Sequence, residues 1–219
     1  MKYLVLLIPI LLVSCKKDSE AVNQDEIYQA YEISYNEGTN QTTFTANFYL
    51  KANGGKRLKL TGGSIVTVNG TTMIRNGSTY SRSFNGYLES GEFVFTDAEG
   101  KQFTNSIQYE NYVQNDLSNS LSRNLDCYWQ FVGPYVNNGE TVSVSIRNQD
   151  SGGGTATGST SQNGAYFVRI TANQMNQLTA GFATVTTTRS SISSSGDWTK
   201  AGGNKKSEYI SSSSSVLVN

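Results

Sequence analysis

From about residue 27 onwards, apolar and polar residues alternate with a period of two. This alternation is typical of strands that bury one face. The clearest segments are 31–35, 44–50, 142–146 and 166–170. No stretch after residue 15 keeps a helical period, so the pattern predicts an all-β body.

Two turns between apolar runs predict hairpins with particular clarity. Asn69-Gly70 separates the runs 65–68 and 71–74, and both turn residues readily accept a positive φ. A second turn ends in Gly100 between the runs 93–95 and 103–107, where glycine suits the left-handed position after a type I turn.

The N-terminus carries a different apolar pattern. Lys2 precedes the apolar stretch Tyr3–Val13, which is shorter than the roughly 20 residues of a membrane-spanning helix but suits a signal peptide. The stretch runs into a short motif made of Leu12, Val13, Ser14 and Cys15. This motif resembles the lipobox of bacterial lipoproteins. The resemblance implies cleavage of residues 1–14, acylation of Cys15 and a tether to a membrane.

The residues after Cys15 are polar and charged, and we expect 15–26 to form a flexible stalk. Asp18 and Glu20 lie where some surface lipoproteins carry an export signal, which this segment resembles. The resemblance implies an outer-membrane lipoprotein at the cell surface. The periplasmic face is the alternative.

Removal of residues 1–14 leaves 205 residues, which is enough for one large β domain or two smaller ones. The least regular segment is 109–124, with a strand expected near 117–121, so we predict modules at 27–115 and 116–219. Loss of Lys2 leaves 16 basic against 17 acidic residues. This balance gives no electrostatic case for nucleic acid.

Both predicted modules resemble bacterial immunoglobulin-like or fibronectin-III-like β-sandwiches. The segments that carry the resemblance are 44–50 and 93–103 in the first half and 139–146 and 180–185 in the second. The Cys…Trp…Cys spacing of antibody domains is absent. The resemblance implies two tandem sandwiches, and the alternatives are one larger sandwich or a closed barrel of lipocalin type.

The serine-rich C-terminal region is predicted to close the fold. Tyr209-Ile210 precedes the serines and Val216–Val218 follows them. We interpret these two apolar segments as the ends of one last strand.

The chain contains no histidine, which excludes Ser-His and Cys-His catalysis and histidine-ligated metal sites. Once Cys15 is acylated, Cys127 is the remaining thiol, and we expect it to be a small buried apolar residue. Asp97 and Glu99 share one turn and fit turn chemistry. We therefore predict no enzyme, no metal and no cofactor, with a carboxylate-pair glycoside hydrolase as a remote alternative.

Trp198 is the best candidate for ligand binding, because it lies in a polar loop between Asp197 and Lys200. It either stacks on a sugar ring or packs back onto the body, and we expect the packed arrangement. Trp129 is expected in the core. The sequence thus predicts a binding or scaffolding lipoprotein that acts through protein interactions, with glycan binding through an exposed aromatic platform as the alternative.

Overall fold

The computed structural model describes residues 17–115, 120–150 and 152–219. The predicted signal peptide, Cys15 and most of the strand predicted at 117–121 lie outside these residues. The all-β prediction is confirmed. The described helices are α1 (Ala172–Met175) and two 3₁₀ turns (Ser19–Ala21 and Gln24–Glu26). No helix in the described parts of the chain has the length and apolar character needed to cross a membrane.

The strands of the first half are β1 (Lys17–Asp18), β2 (Ile27–Asn36), β3 (Gln41–Leu50), β4 (Leu58–Lys59), β5 (Ile65–Val68), β6 (Thr71–Thr72), β7 (Ile74–Asn76), β8 (Thr79–Asn85), β9 (Ser90–Thr96), β10 (Gln102–Gln108) and β11 (Gln114–Asn115). Those of the second half are β12 (Ser120–Leu121), β13 (Cys127–Val132), β14 (Glu140–Asn148), β15 (Thr155–Thr160), β16 (Phe167–Ile170), β17 (Gly181–Ser193), β18 (Gly203–Ile210) and β19 (Ser214–Val218). The longest strands are β17, with 13 residues, and β2 and β3, with ten residues each.

One long sheet joins the two halves. Among the described residues it has ten strands, with β12-β19-β17-β18-β2-β3-β8-β7 as its path and with β14 and β15 branching from β17. The predicted division at residue 115 is not confirmed. β18, from the second half, pairs in parallel with β2, from the first, over the whole length of β18. The backbone hydrogen bonds of the sheet therefore cross the expected module boundary.

Smaller sheets add to this long sheet. In the described chain they have the orders β10-β9-β5-β6, β11-β13-β16 and β1-β4. Aromatic rings join the first of them to the long sheet: Tyr31 stacks on Phe93 at 4.6 Å, and Phe48 contacts Phe95 at 4.7 Å. These rings are almost fully buried. The alternation predicted for the segments 31–35 and 44–50 thus places their apolar faces in the core.

Both predicted hairpins are confirmed. Asn69 and Gly70 have φ values of 48° and 72° and connect the paired strands β5 and β6. Gly100 has φ of 83° in the turn between β9 and β10. These turns need the left-handed backbone that Asn and Gly accept at low cost.

The prediction of a flexible stalk is wrong for residues 17–26. Lys17 pairs with Leu58 through β1 and β4. Ser19 is fully buried, and its hydroxyl bonds to the Thr61 carbonyl and to Ser64. The segment is polar because its side chains make specific hydrogen bonds to the body, and polarity alone does not imply disorder.

The C-terminal region forms two strands, so the prediction of one last strand is wrong. β18 pairs with residues 188–193 of β17, whereas β19 pairs with residues 181–185. Between them, the Ser211 hydroxyl accepts a hydrogen bond from the Thr187 amide. Since β17 is 13 residues long, its edge accommodates both strands in succession.

Candidate functional site

The indole of Trp198 packs against the core, as expected. It stacks on Tyr31 with 5.8 Å between ring centroids, and its Nε1 donates to the Ser194 carbonyl at 2.9 Å. Two glycines leave room for the ring. A Cβ at Gly196 would lie 2.5 Å from the indole, and one at Gly203 would lie 2.4 Å from it. The loop sequence is therefore shaped around a packed tryptophan.

The two polar neighbours of Trp198 are also engaged within the protein. The Asp197 carboxylate accepts from the Thr104 amide at 3.0 Å, and its main chain bonds to Asn105. The Lys200 ammonium bonds to Asp25 at 2.6 Å. These contacts attach the loop to β10 and to the N-terminal segment. The polar residues of the loop are therefore explained by contacts within the protein, and no bound ligand is needed to explain them.

Buried carboxylates are likewise satisfied internally. Asp97 accepts from the amides of Glu99 and Lys101 at 2.9 Å each, which is the turn chemistry predicted for it. Glu140 is bound by the buried guanidinium of Arg189. Over the described residues, no group of three acidic or cysteine side chains is arranged to hold a metal ion.

β13 divides its side chains between two environments. Trp129 is buried, which confirms its predicted core position. Cys127 is half-buried and packs against the core. Desolvation raises the pKa of its thiol to about 11, so the thiol is protonated and unreactive at neutral pH. The neighbouring residue Tyr128 faces the opposite way, into solvent.

Tyr128 belongs to an exposed row of aromatic rings that we call the aromatic strip, made of Tyr128, Phe167, Tyr166 and Tyr135. Neighbouring rings contact each other edge to face, with centroid distances of 5.5, 5.2 and 6.2 Å along that order. Tyr128, Tyr166 and Tyr135 are 58%, 49% and 65% exposed. A contiguous run of exposed aromatic rings makes the strip a candidate interaction surface.

Strand register builds one end of the strip. Gln130 of β13 lies opposite Phe167 of β16, and Tyr128 lies opposite Arg169. The Arg169 guanidinium bonds to Asp126, whose carboxylate also accepts from the Ala172 amide. The Ala172 amide and then Arg169 hold the pKa of Asp126 below its usual value. Arg169 is therefore a fixed cation at the edge of the strip.

A shallow groove of about 350 Å³ borders the strip. Tyr166 and Phe167 line one part of it. Its polar lining includes Gln162, Asn163 and Arg169. The groove combines aromatic faces with amide groups that can donate and accept hydrogen bonds.

Sequence reasoning missed the strip because Trp129 and Phe131 dominate the same segment and signal a buried face. The available signal was the second alternation in 127–132, where Tyr128 and Val132 place apolar groups on the opposite face as well. A strand with apolar residues on both faces is either fully buried or presents a surface for a partner. The adjacent aromatics Tyr166-Phe167 support the second interpretation.

Comparisons with known proteins provide no information on the role of the aromatic strip. No protein-family model matches the chain, and no curated protein is significantly similar to it in sequence.

Proposed function

We propose that this chain is a membrane-anchored, non-catalytic lipoprotein of the cell envelope that binds a protein partner through the aromatic strip. The observation that carries the proposal is the row of four contacting rings, three of them about half exposed or more. Tyrosine and arginine, together with tryptophan, are the residues enriched in binding hot spots. Arg169 adds a guanidinium at the edge of the row.

The ring geometry favours a protein over a sugar as the occupant of the strip. The interplanar angles between neighbouring rings are 67°, 81° and 67°. Each contact therefore sets the edge of one ring against the face of the next. A sugar ring stacks on an open, flat aromatic face, whereas side chains of a partner protein fit between inclined rings.

Site-specific cross-linking in cells tests the proposal. A photo-reactive benzoylphenylalanine at position 166 is expected to form one discrete adduct with an envelope protein. In that background, Tyr128→Ala with Tyr135→Ala should lower the adduct yield by about 30-fold, since hot-spot truncations cost about 2 kcal/mol or more.

Phe182 and Ile192 supply the matched control, because both are 61% exposed on β17 and lie outside the strip. Phe182→Ala with Ile192→Ala should leave the yield within about twofold of the parent. The proposal fails if the adduct is absent, or if strip and control variants reduce it equally.

Glycan binding remains the second candidate, because the groove beside Tyr166 carries Gln162 and Asn163. A glycan array probed with the mature protein tests it. Binding of a defined saccharide that is lost in Gln162→Ala with Asn163→Ala, without any cross-linked protein adduct, would favour this candidate over the first.

The anchor has its own test. Cys15→Ala should abolish metabolic labelling with palmitate and leave the signal peptide uncleaved, because Cys15 is both the acylated residue and the one that follows the cleavage point. Equal labelling of the variant would refute lipidation. Degradation of the tethered protein by external protease on intact cells would support surface display over the periplasmic face.

A further inference from the structure

The start of the described chain is fastened directly to the body. Lys17 donates its amide to the Arg57 carbonyl, and β1 pairs with β4. Further along, the Gln24 side chain donates to the Ser19 carbonyl and accepts from the Ala98 amide. Residues 17–26 thus add little slack between the body and whatever precedes them.

This attachment places the proposed lipid anchor close to one surface. Cys15 precedes Lys17 by two residues, and a residue spans at most about 3.6 Å of extended chain. Because two residues of chain reach at most about 7 Å, a lipid attached at Cys15 would be held within about that distance of Lys17. The surface around β1 and β4 must accordingly lie near the lipid headgroups.

That surface is rich in cations, and we call it the basic face. It consists of Lys17, Lys56, Arg57, Lys59 and Arg75. Lys56, Arg57 and Arg75 are exposed, and Lys17 and Lys59 are half-buried. Arg57 bonds to the hydroxyl groups of the turn that follows Arg75, which joins the two parts of the face.

Among the described residues, the cations of the basic face form no ion pair, although Asp18 lies opposite Lys59 in the pairing of β1 with β4. Within the described residues, no carboxylate lies within 4.0 Å of their charged nitrogens. The ion pairs that the structure does contain involve Lys51, Arg169, Arg189, Lys200 and Lys206. The adjoining segment 17–26 carries four acidic residues, of which Asp25 and Glu26 pair with Lys200 and Lys51 outside the face, which leaves Asp18 and Glu20. Five cations near two acids contrast with the near-neutral balance of the whole chain.

We propose that the basic face binds the phosphate groups of anionic lipids in the membrane that holds the anchor. This inference rests on the proposed acylation of Cys15. Polybasic surfaces beside a membrane anchor are attracted to anionic headgroups, and the attraction acts within about 10 Å at moderate salt. The short link from Cys15 keeps the face within that distance. Lipid and charge together then orient the body on the membrane.

Lysine labelling on vesicles tests the proposal with the mature, acylated protein. A membrane-impermeant acetylating reagent should modify Lys17, Lys56 and Lys59 about threefold more slowly on vesicles containing phosphatidylglycerol than on phosphatidylcholine vesicles. Lys101 and Lys205, which lie outside the basic face and form no ion pair in the described structure, should be labelled equally on both. High salt should abolish the difference, because it screens the attraction.

A pair of variants separates charge recognition from simple proximity. Lys56→Gln with Lys59→Gln should remove most of the protection of Lys17 on anionic vesicles, whereas Lys101→Gln with Lys205→Gln should preserve it. Arg57 is left in place because it also holds the 78–79 turn.

Equal labelling on both vesicle types, or equal protection of Lys101 and Lys205, would overturn the proposal. The intact mass of the protein, measured first, reports the acyl chains independently. A mass without acyl chains would refute the anchor and this inference with it. An acylated protein whose lysines are not protected on anionic vesicles would refute lipid binding by the basic face alone.

Discussion

Arg189 of β17 and Glu140 of β14 form a buried, bidentate ion pair. The Nε and Nη2 atoms of Arg189 donate to the two carboxylate oxygens at 3.0 and 2.5 Å. Both residues are 2% exposed. Nη1 and Nη2 of Arg189 also donate to the carbonyls of Pro134 and Tyr135, so the guanidinium makes four hydrogen bonds in the protein. The pair therefore ties the segment before β14 to the long sheet.

Removal of Glu140 should be severely destabilising. Glu140→Ala leaves the Arg189 guanidinium buried and uncompensated, and we expect a loss of about 3–5 kcal/mol in unfolding free energy, measured by urea denaturation. Asp25→Ala breaks the exposed pair with Lys200 and should cause no measurable change. The combined variant Glu140→Leu with Arg189→Met should recover much of the loss. Full stability of Glu140→Ala would contradict a structural role for the pair.

The same pair makes stability depend on acid pH. Burial raises the pKa of Glu140, but hydrogen bonds from Arg189, Asn111 and the Asn137 amide outweigh it, and the pKa lies below its ordinary value of 4.5. The unfolded chain therefore takes up the Glu140 proton first as pH falls. The stabilisation is complete well above pH 4.5 and is lost as pH falls from there through the lower folded pKa.

Denaturation of the parent and of Glu140→Gln between pH 7 and pH 3 measures this effect. The difference in unfolding free energy should shrink as the pH falls, because the variant lacks the titrating group. A difference that stays constant over that range would show that the Glu140 pKa is not lowered.

Trp198→Ala should destabilise the protein by about 3 kcal/mol, since the indole packs on Tyr31 and fills the space beside Gly203. Gly203→Ala should also destabilise, because its Cβ would overlap the indole. Phe182→Ala is the matched control and should change the unfolding midpoint little. Near-parental stability of Trp198→Ala with loss of saccharide binding would instead restore Trp198 as a sugar platform.

Cys127 should react slowly in the native protein. With a thiol pKa of about 11, the thiolate fraction at pH 8 is on the order of 100-fold smaller than for an unfolded cysteine. A bulky aromatic disulfide reagent, followed by absorbance with and without denaturant, measures the two rates. Rapid modification of the native protein would indicate an accessible thiol and contradict its packing against the core.

Local pattern was a sound guide to individual strands and turns. The alternation at 31–35 and the Asn69-Gly70 dipeptide both predicted what the structure contains, because burial of one face and a positive φ depend on neighbouring residues. The stalk prediction failed for the opposite reason. The hydrogen bonds of Ser19 and Gln24 reach residues 42 to 74 positions away, and no local pattern reports such partners.

Candidate binding residues were predicted less well than strands. Trp198 packs onto the body as expected, but its stacking partner, Tyr31, lies far away in the chain and could not be named from the loop sequence. The aromatic strip arises from the register of β13 and β16 and from the adjacent Tyr135 and Tyr166. Register depends on pairing between distant segments, so individual aromatic residues could not be assigned to one surface in advance.

The amino-acid sequence alone specifies an all-β body, the hairpins and a lipobox-like N-terminus, because strand alternation, turn conformation and a cleavage motif are local properties. Three features come from tertiary pairing. They are the sheet that crosses residue 115 through β18 and β2, the buried Arg189–Glu140 pair, and the aromatic strip. Each depends on contacts between residues far apart in the chain. Such contacts contribute to the stability of the protein, or form a surface, only after folding has brought these residues together.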